Sequence, residues 1–214
     1  MQIELSKVKV EIPQTKRELF KLDRLDLPKA SQLLVHGASG KGKTTLLHLM
    51  AGLFLPSEGT VTLGKHQLNT LSDEQRALIR RQHIGFIFQK LNLIDYLTAE
   101  ENVRLALPKS GTTAATITNA LKQVGMADRA RDLCGRLSLG EQQRVAVARV
   151  LAARPSVILA DEPTSSLVAK NADAVMDALV EAAGNTSTLV IVSHDDRIRS
   201  RFLKHVKFED LVNT

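Results

Sequence analysis

Residues 37–45 read Gly37-Ala38-Ser39-Gly40-Lys41-Gly42-Lys43-Thr44-Thr45, which fits the phosphate-loop pattern G-x-x-x-x-G-K-[ST]. Glycines let such a loop curl, so that successive N–H groups point at phosphate oxygens. A helix start behind the loop adds the positive end of its dipole. Lys43 brings a full positive charge to the terminal phosphates, and Thr44 a hydroxyl to Mg²⁺. A second chemical segment is Val157-Ile158-Leu159-Ala160-Asp161-Glu162, an apolar run ending in two carboxylates. In a nucleotide site Asp161 can hold the metal and Glu162 can orient or deprotonate a water. A third is Leu137-Ser138-Leu139-Gly140-Glu141-Gln142-Gln143. Ser138 followed by Glu141 is a capping-box spacing, which predicts a helix start and a second N-terminus able to face phosphate.

These segments need strands and helices to hold them. Short apolar runs alternate with helical periodicity, which predicts an α/β fold with a mostly parallel sheet. The predicted strands are Leu33–His36, Val61–Leu63, Ile84–Phe88, Val157–Ala160 and Leu189–Val192, with early strands inside Ile3–Ile12 forming a small antiparallel region. Helices are predicted after Lys43, over Asp73–Arg81, from near Gly140 and over Ala169–Ala183. A short helix over Arg197–Phe202 and a last strand near His205–Phe208 complete the core. Asp161 lies on a strand expected to neighbour the one that feeds the phosphate loop. From about 90 to 137 strand signals vanish. Helical patterns at Ala99–Leu107, Ala114–Val124 and Ala127–Leu133, punctuated by Pro108, Gly111 and Gly125, predict a helical insert. The patch around Thr112-Thr113 reads as a loop and helix start. The chain divides as 1–89 and 138–214 for the core and about 90–137 for the insert.

Bulk composition sets limits. Hydrophobic residues are 43% and charged residues 24% of 214, which excludes a disordered chain. The net charge of +6 suits an anionic ligand or surface and selects none. Aromatics are only 3%, so a base-stacking platform is poorly supplied and no nucleic-acid partner is expected. Cys134 is the sole cysteine, which excludes an internal disulfide and fits a reducing compartment. No signal peptide is expected. No apolar stretch nears the ~20 residues that cross a bilayer, so work at a membrane would need another chain to span it.

Together the segments, in this order, resemble the nucleotide-binding subunits of ATP-binding cassette (ABC) transporters. Gly37–Thr45 matches the Walker A motif and Ile158–Glu162 with Pro163-Thr164 matches Walker B. Gln89, in Phe86-Ile87-Phe88-Gln89, matches the Q-loop glutamine that reaches Mg²⁺. Leu137–Gln143 resembles the signature sequence, and His194 in Ile191-Val192-Ser193-His194-Asp195 matches the switch histidine. The resemblance implies a P-loop NTPase cassette that binds ATP and Mg²⁺ and pairs head to tail with a second cassette, homo- or heterodimeric. Ser138, Gly140, Glu141 and Gln142 would then act on the partner's nucleotide. Glu162 would be the general base, His194 a γ-phosphate clamp, and Thr44, Gln89 and Asp161 the metal-facing residues. It further implies an integral membrane permease as partner and a peripheral place on the cytoplasmic face of a bacterial inner membrane. The stretch Ile84–Ile94 leading into Leu97-Thr98-Ala99-Glu100-Glu101-Asn102-Val103 looks like the lipoprotein-releasing, macrolide-exporting and cell-division group. An energising export or extraction subunit is the leading expectation, and a regulatory cassette with weak hydrolysis the alternative. Leu91, Leu93, Ile94, Tyr96 and Leu97 are the expected contacts of the permease.

Three positions depart from the family pattern. Leu139 stands where the signature usually has Gly. Val168 stands where the loop after Walker B usually ends in Asp. The region near Val8–Pro13 has no aromatic to stack on adenine; Phe20 is the nearest aromatic, a candidate substitute that reads more readily as core, and Ile12 or Pro13 offer an apolar contact instead.

Overall fold

The computed structural model describes residues 1–12, 15–107 and 113–213. Pro13, Pro108, Gly111 and Thr112 lie outside them. Two sheets and their helices are built in chain order from β1 (Ile3–Glu11), β2 (Glu18–Leu27), β3 (Gln32–His36), α1 (Lys43–Met50), β4 (Glu58–Leu63), β5 (His66–Gln67), α2 (Asp73–His83) and β6 (Ile84–Ile87). Then follow α3 (Ala99–Arg104), α4 (Ala114–Gln123), α5 (Leu139–Ala153), β7 (Val157–Asp161), α6 (Ala169–Ala183), β8 (Thr188–Ser193), β9 (His205–Lys207) and α7 (Phe208–Leu211).

The central sheet is parallel, in the order β6-β7-β8-β3-β9. Its strands are apolar on both faces because both are covered. Leu34, Ile158, Ala160, Leu189 and Ile191 pack toward α5, α6 and the helices between β6 and β7. Leu33, Val35, Leu159, Val190 and Val192 pack toward α1 and the antiparallel sheet β2-β1-β4-β5. The strand that carries Asp161 does not neighbour β3, contrary to expectation: β8 lies between them. Parallel pairing with β8 sets the register of both, with Asp161 beside Val192 and His36 beside Ser193.

The N-terminal region also differs from the sequence reading. Ile3–Glu11 is a single strand, and its partner β2 was not anticipated. The pairing shows why. Ser6 faces Arg24 and Val8 faces Leu22, while Lys7 between them has a positive φ of 49°. The inward set shifts parity there, from Ile3 and Leu5 to Val8 and Val10, and on β2 from Phe20 and Leu22 to Leu25 and Leu27. Alternation is broken mid-strand, so period-two reading fails. In the helical region α3 and α4 form as expected, but Ala127–Leu133 does not become a helix. Single 3₁₀ turns at Ala127–Arg129 and Cys134–Arg136 replace it.

Phe20 on β2 and Phe208 on α7 meet edge to face with centroids 5.5 Å apart. Both are fully buried, and both rings press on the phosphate loop. A Cβ at Gly42 would lie 3.0 Å from Phe20 Cδ1 and 3.3 Å from Phe208 Cζ. Phe20 is therefore a core residue that buttresses the loop, as its sequence context suggested. Phe20→Ala is expected to lower unfolding stability by about 3–5 kcal/mol, read as a lower chemical-denaturation midpoint.

Candidate functional site

The phosphate loop leaves β3 at His36 and enters α1 at Lys43. Gly42 is the N-cap of α1 with φ 113°, a backbone that side chains rarely adopt, and the two Phe rings would crowd a Cβ. Leu46, Leu47, Leu49 and Met50 are fully buried and anchor α1. Lys43 is itself buried. Its ammonium donates to the carbonyls of Gly37 at 2.8 Å and Ala38 at 2.7 Å. It thus crosses the inside of its own loop, at the place where a phosphate oxygen would compete for it. Lys41 points outward and is exposed.

Thr44 follows on the first turn of α1, and its hydroxyl donates to Asp161 Oδ2 at 2.7 Å. This bond joins the end of β7 to the phosphate-loop helix. Burial pushes the Asp161 carboxyl above its ordinary range, and the neighbouring Glu162 adds to that. The Thr44 hydroxyl, His48 and Lys43 oppose it.

Glu162 follows directly and has a positive φ of 52°. For a non-glycine residue that is a strained backbone, of the kind that persists where the surroundings hold it. The surroundings do so here. Glu162 N–H donates to Val192 O at 2.9 Å. Its carboxylate accepts from the Ser193 hydroxyl at 2.9 Å and the His194 backbone N–H at 3.0 Å, and lies 2.7 Å from His194 Nδ1. The sequence reading named Glu162 and His194 and overlooked Ser193, which is buried at the end of β8.

A cleft of about 320 Å³ brings the loop and the two carboxylates together, while Ser193 and His194 stand behind Glu162 and do not line it. It is lined by Ser39, Gly40, Gly42, Lys43, Thr44 and Thr45 of the loop, and by Gln89, Asp161 and Glu162. That lies within the size of small-molecule sites. Ile12 and Leu19 form its apolar rim. Ile12 was anticipated. Leu19 was not, because β2 itself was not. Among the described residues no cluster of three acidic, His or Cys side chains could hold a metal alone. One carboxylate beside one hydroxyl, with space for phosphate, suits Mg²⁺, which prefers few protein ligands and shares phosphate oxygens.

The signature segment is built as predicted. Ser138 caps α5, its hydroxyl accepting from Glu141 N–H at 3.4 Å, while Glu141 Oε2 accepts from Ser138 N–H at 2.8 Å. That N–H bond, chiefly, holds the Glu141 carboxyl below its usual range. The Gln142 amide turns inward and donates to Cys134 O at 2.9 Å and Leu137 O at 3.2 Å. None of Ser138, Gly140, Glu141 and Gln142 lines the cleft of its own chain. Ser138, Gly140 and Glu141 open instead onto a separate surface hollow with Ser166 and Val168. Leu139 and Val168 are both well exposed at 59% and 69%. Val168 is the N-cap of α6 and gives it no side-chain cap, which a carboxylate would.

A third hollow lies beside the Q-loop, lined by Leu53, Arg80, Arg81, Phe86, Phe88 and Leu105 among others. The rings of Phe86 and Phe88 stack with centroids 4.2 Å apart. Leu91, Leu93, Ile94, Tyr96 and Leu97 do not line it.

The family model described as ABC transporter matches residues 20–165. The chain belongs to the ABC transporter family. It is 40% identical over 189 residues to the lipoprotein-releasing system ATP-binding protein LolD of Legionella pneumophila (strain Paris), covering 86% of this chain and 83% of that one. It is 34% identical to the macrolide export ATP-binding/permease protein MacB of Burkholderia pseudomallei (strain K96243), covering 97% of this chain and 33% of that longer protein. Its fold superposes with TM-score 0.90 on the dimeric ATP-binding cassette MJ0796 bound to ADP and Pi, at 32% identity, over 97% of this chain and 94% of that one. This ABC cassette is an ATP-hydrolysing enzyme of the lipoprotein-releasing and macrolide group. No helix among its described residues is long and apolar enough to cross a membrane.

The raised Asp161 carboxyl carries a stability prediction. Its folded pKa lies above its unfolded value, so the fold is favoured while Asp161 is protonated and loses that advantage as pH rises through the folded pKa. Asp161→Asn, which keeps an acceptor for Thr44, should therefore melt higher than wild type at pH 7. The difference should shrink toward pH 4, while ATP turnover is lost. Thermal melts across that range check it.

Proposed function

We propose that this chain is the ATP-driven subunit of an assembly that extracts or exports a substrate through a separate membrane permease. The observation that carries the reading is the joint lining of one cleft by the phosphate loop, Gln89, Asp161 and Glu162. ATP occupies it with its phosphates on residues 37–45 and its base against Ile12 and Leu19. Lys43 moves from its own loop carbonyls to the β- and γ-phosphates, exchanging neutral acceptors for charged ones. Thr44 and Asp161, with Gln89 nearby, would hold Mg²⁺, which would neutralise phosphate charge. His194 leaves the Glu162 carboxylate to contact the γ-phosphate, and that freed carboxylate accepts the proton of the attacking water.

Because Ser138 and Gly140 open away from the cleft of their own chain, they serve a second cassette, whose nucleotide they cover. The core, 1–89 and 138–214, and the helical part, about 90–137, work as one ATPase domain on the cytoplasmic face of the membrane. The hollow beside the Q-loop receives the permease. Stacked Phe86 and Phe88 offer an apolar floor, and Arg80 and Arg81 a basic rim for an acidic side chain. Substrate choice resides in the permease.

The test uses tagged Glu162→Gln protein. That variant should bind Mg-ATP, dimerise and turn over at least about 10²-fold more slowly than wild type. Pull-down from gently solubilised membranes with Mg-ATP, followed by mass spectrometry, should recover a multi-span protein. Wild-type turnover in the variant would remove Glu162 from its role. Recovery of soluble proteins alone would overturn the permease assignment, and recovery of a membrane protein without a substrate path would favour a regulatory cassette.

A further inference from the structure

Gln143 is polar, sits on the second turn of α5 and is 2% exposed. A buried amide has to find partners for both its ends. Gln143 finds both on one loop. Its Nε2 donates to Glu162 O at 3.0 Å, and its Oε1 accepts from Ser166 N–H at 3.2 Å. Glu162 O also accepts from the Ser165 hydroxyl at 3.1 Å. The carbonyl that Gln143 grips belongs to the residue with the strained backbone, whose carboxylate meets Ser193 and His194. One side chain thus ties the capped start of the signature helix to the peptide of Glu162 and to the loop that ends in Val168. At Gly140, a Cβ would lie 3.2 Å from Leu167 Cδ2 and 3.4 Å from Ser166 O, so helix and loop are in close contact there as well.

We infer that Gln143 is a positioning residue for ATP hydrolysis, linking the signature helix of a protomer to its own Glu162 and so coupling the two nucleotide sites of the dimer. The inference rests on the reading of Glu162 as base and Ser138 as a contact to the partner's nucleotide. When α5 is drawn onto the partner's phosphates, Gln143 carries that displacement to Glu162 O and Ser166 N–H. This is a side-chain link through the interior. It operates where Val168 offers no carboxylate to make one across the surface.

The experiment is steady-state Mg-ATP hydrolysis by the full chain, comparing wild type with Gln143→Met and Gln143→Glu. Met keeps the length and loses both hydrogen bonds. Glu keeps an acceptor for Ser166 N–H and, when ionised, has no donor for Glu162 O. Both variants should lose at least about tenfold in kcat. Their KM for ATP should stay within about twofold, since Gln143 does not line the cleft. The Hill coefficient for ATP should fall toward that of independent sites. Glu, if Met fails to fold, carries the test alone. Unchanged kcat and Hill coefficient in either folded variant would overturn the inference. So would a loss of kcat that merely follows a lower melting temperature and raised KM. A wild-type chain that does not hydrolyse Mg-ATP would overturn the underlying reading instead.

Discussion

Parallel register across β7, β8 and β3 is the constraint on which the site depends. Phosphate chemistry needs a flexible-backbone loop, a metal-facing carboxylate and a base within a few ångströms, although Lys43 and Glu162 are far apart in sequence. Three buried parallel strands ending together deliver them at the carboxyl ends of the sheet, the usual place for ligands in such folds. Asp161 is paired beside Val192, and His36 beside Ser193. A slip of one residue would turn Asp161 away from the cleft and send the apolar side chains of these strands into the wrong one of the two cores they now fill. The Thr44–Asp161 bond then closes the gap that β8 leaves between the outer two strands.

That arrangement concentrates charge where burial makes charge costly. Lys43 and Asp161 are buried, and each meets neutral hydrogen-bonding groups of the protein: loop carbonyls for one, a hydroxyl for the other. Such partners satisfy the groups and leave them able to exchange for phosphate and metal. Glu162 is treated alike. Its strained backbone is fixed by Val192, Ser165 and Gln143, while its carboxylate faces the exposed ring of His194.

Much of this was legible in sequence because the signals were local. Glycine spacing with a flanking strand and helix marked the phosphate loop. Apolar runs ending in Asp161-Glu162 and His194 marked two strand ends, and Ser138 with Glu141 marked the start of α5. What escaped was set by long-range pairing. The kink at Lys7 shifts parity in β1 and β2, which hid β2 and with it Leu19. The insertion of β8 between β7 and β3 has no local trace. Gln143 sits among Glu141, Gln142 and Arg144 and reads as one more polar helix residue, since only the packed loop of Ser165–Val168 makes its position interior. The hollow beside Phe86 and Phe88 escaped for a similar reason. It is made by Arg80, Arg81, Phe86 and Leu105 from separate elements, whereas the run Leu91–Leu97 looked continuous in sequence.

The most direct measurement is a crystal structure of the full chain with Mg²⁺ and a non-hydrolysable ATP analogue. The expected result is two copies head to tail, with Lys43 Nζ moved from the Gly37 and Ala38 carbonyls to phosphate oxygens. The metal should lie between Thr44 and Asp161, and Ser138 of one copy should contact the γ-phosphate bound by the other. Nucleotide bound away from residues 37–45, or a metal coordinated without Thr44 and Asp161, would contradict the assignment of the cleft at the strand ends as the catalytic centre.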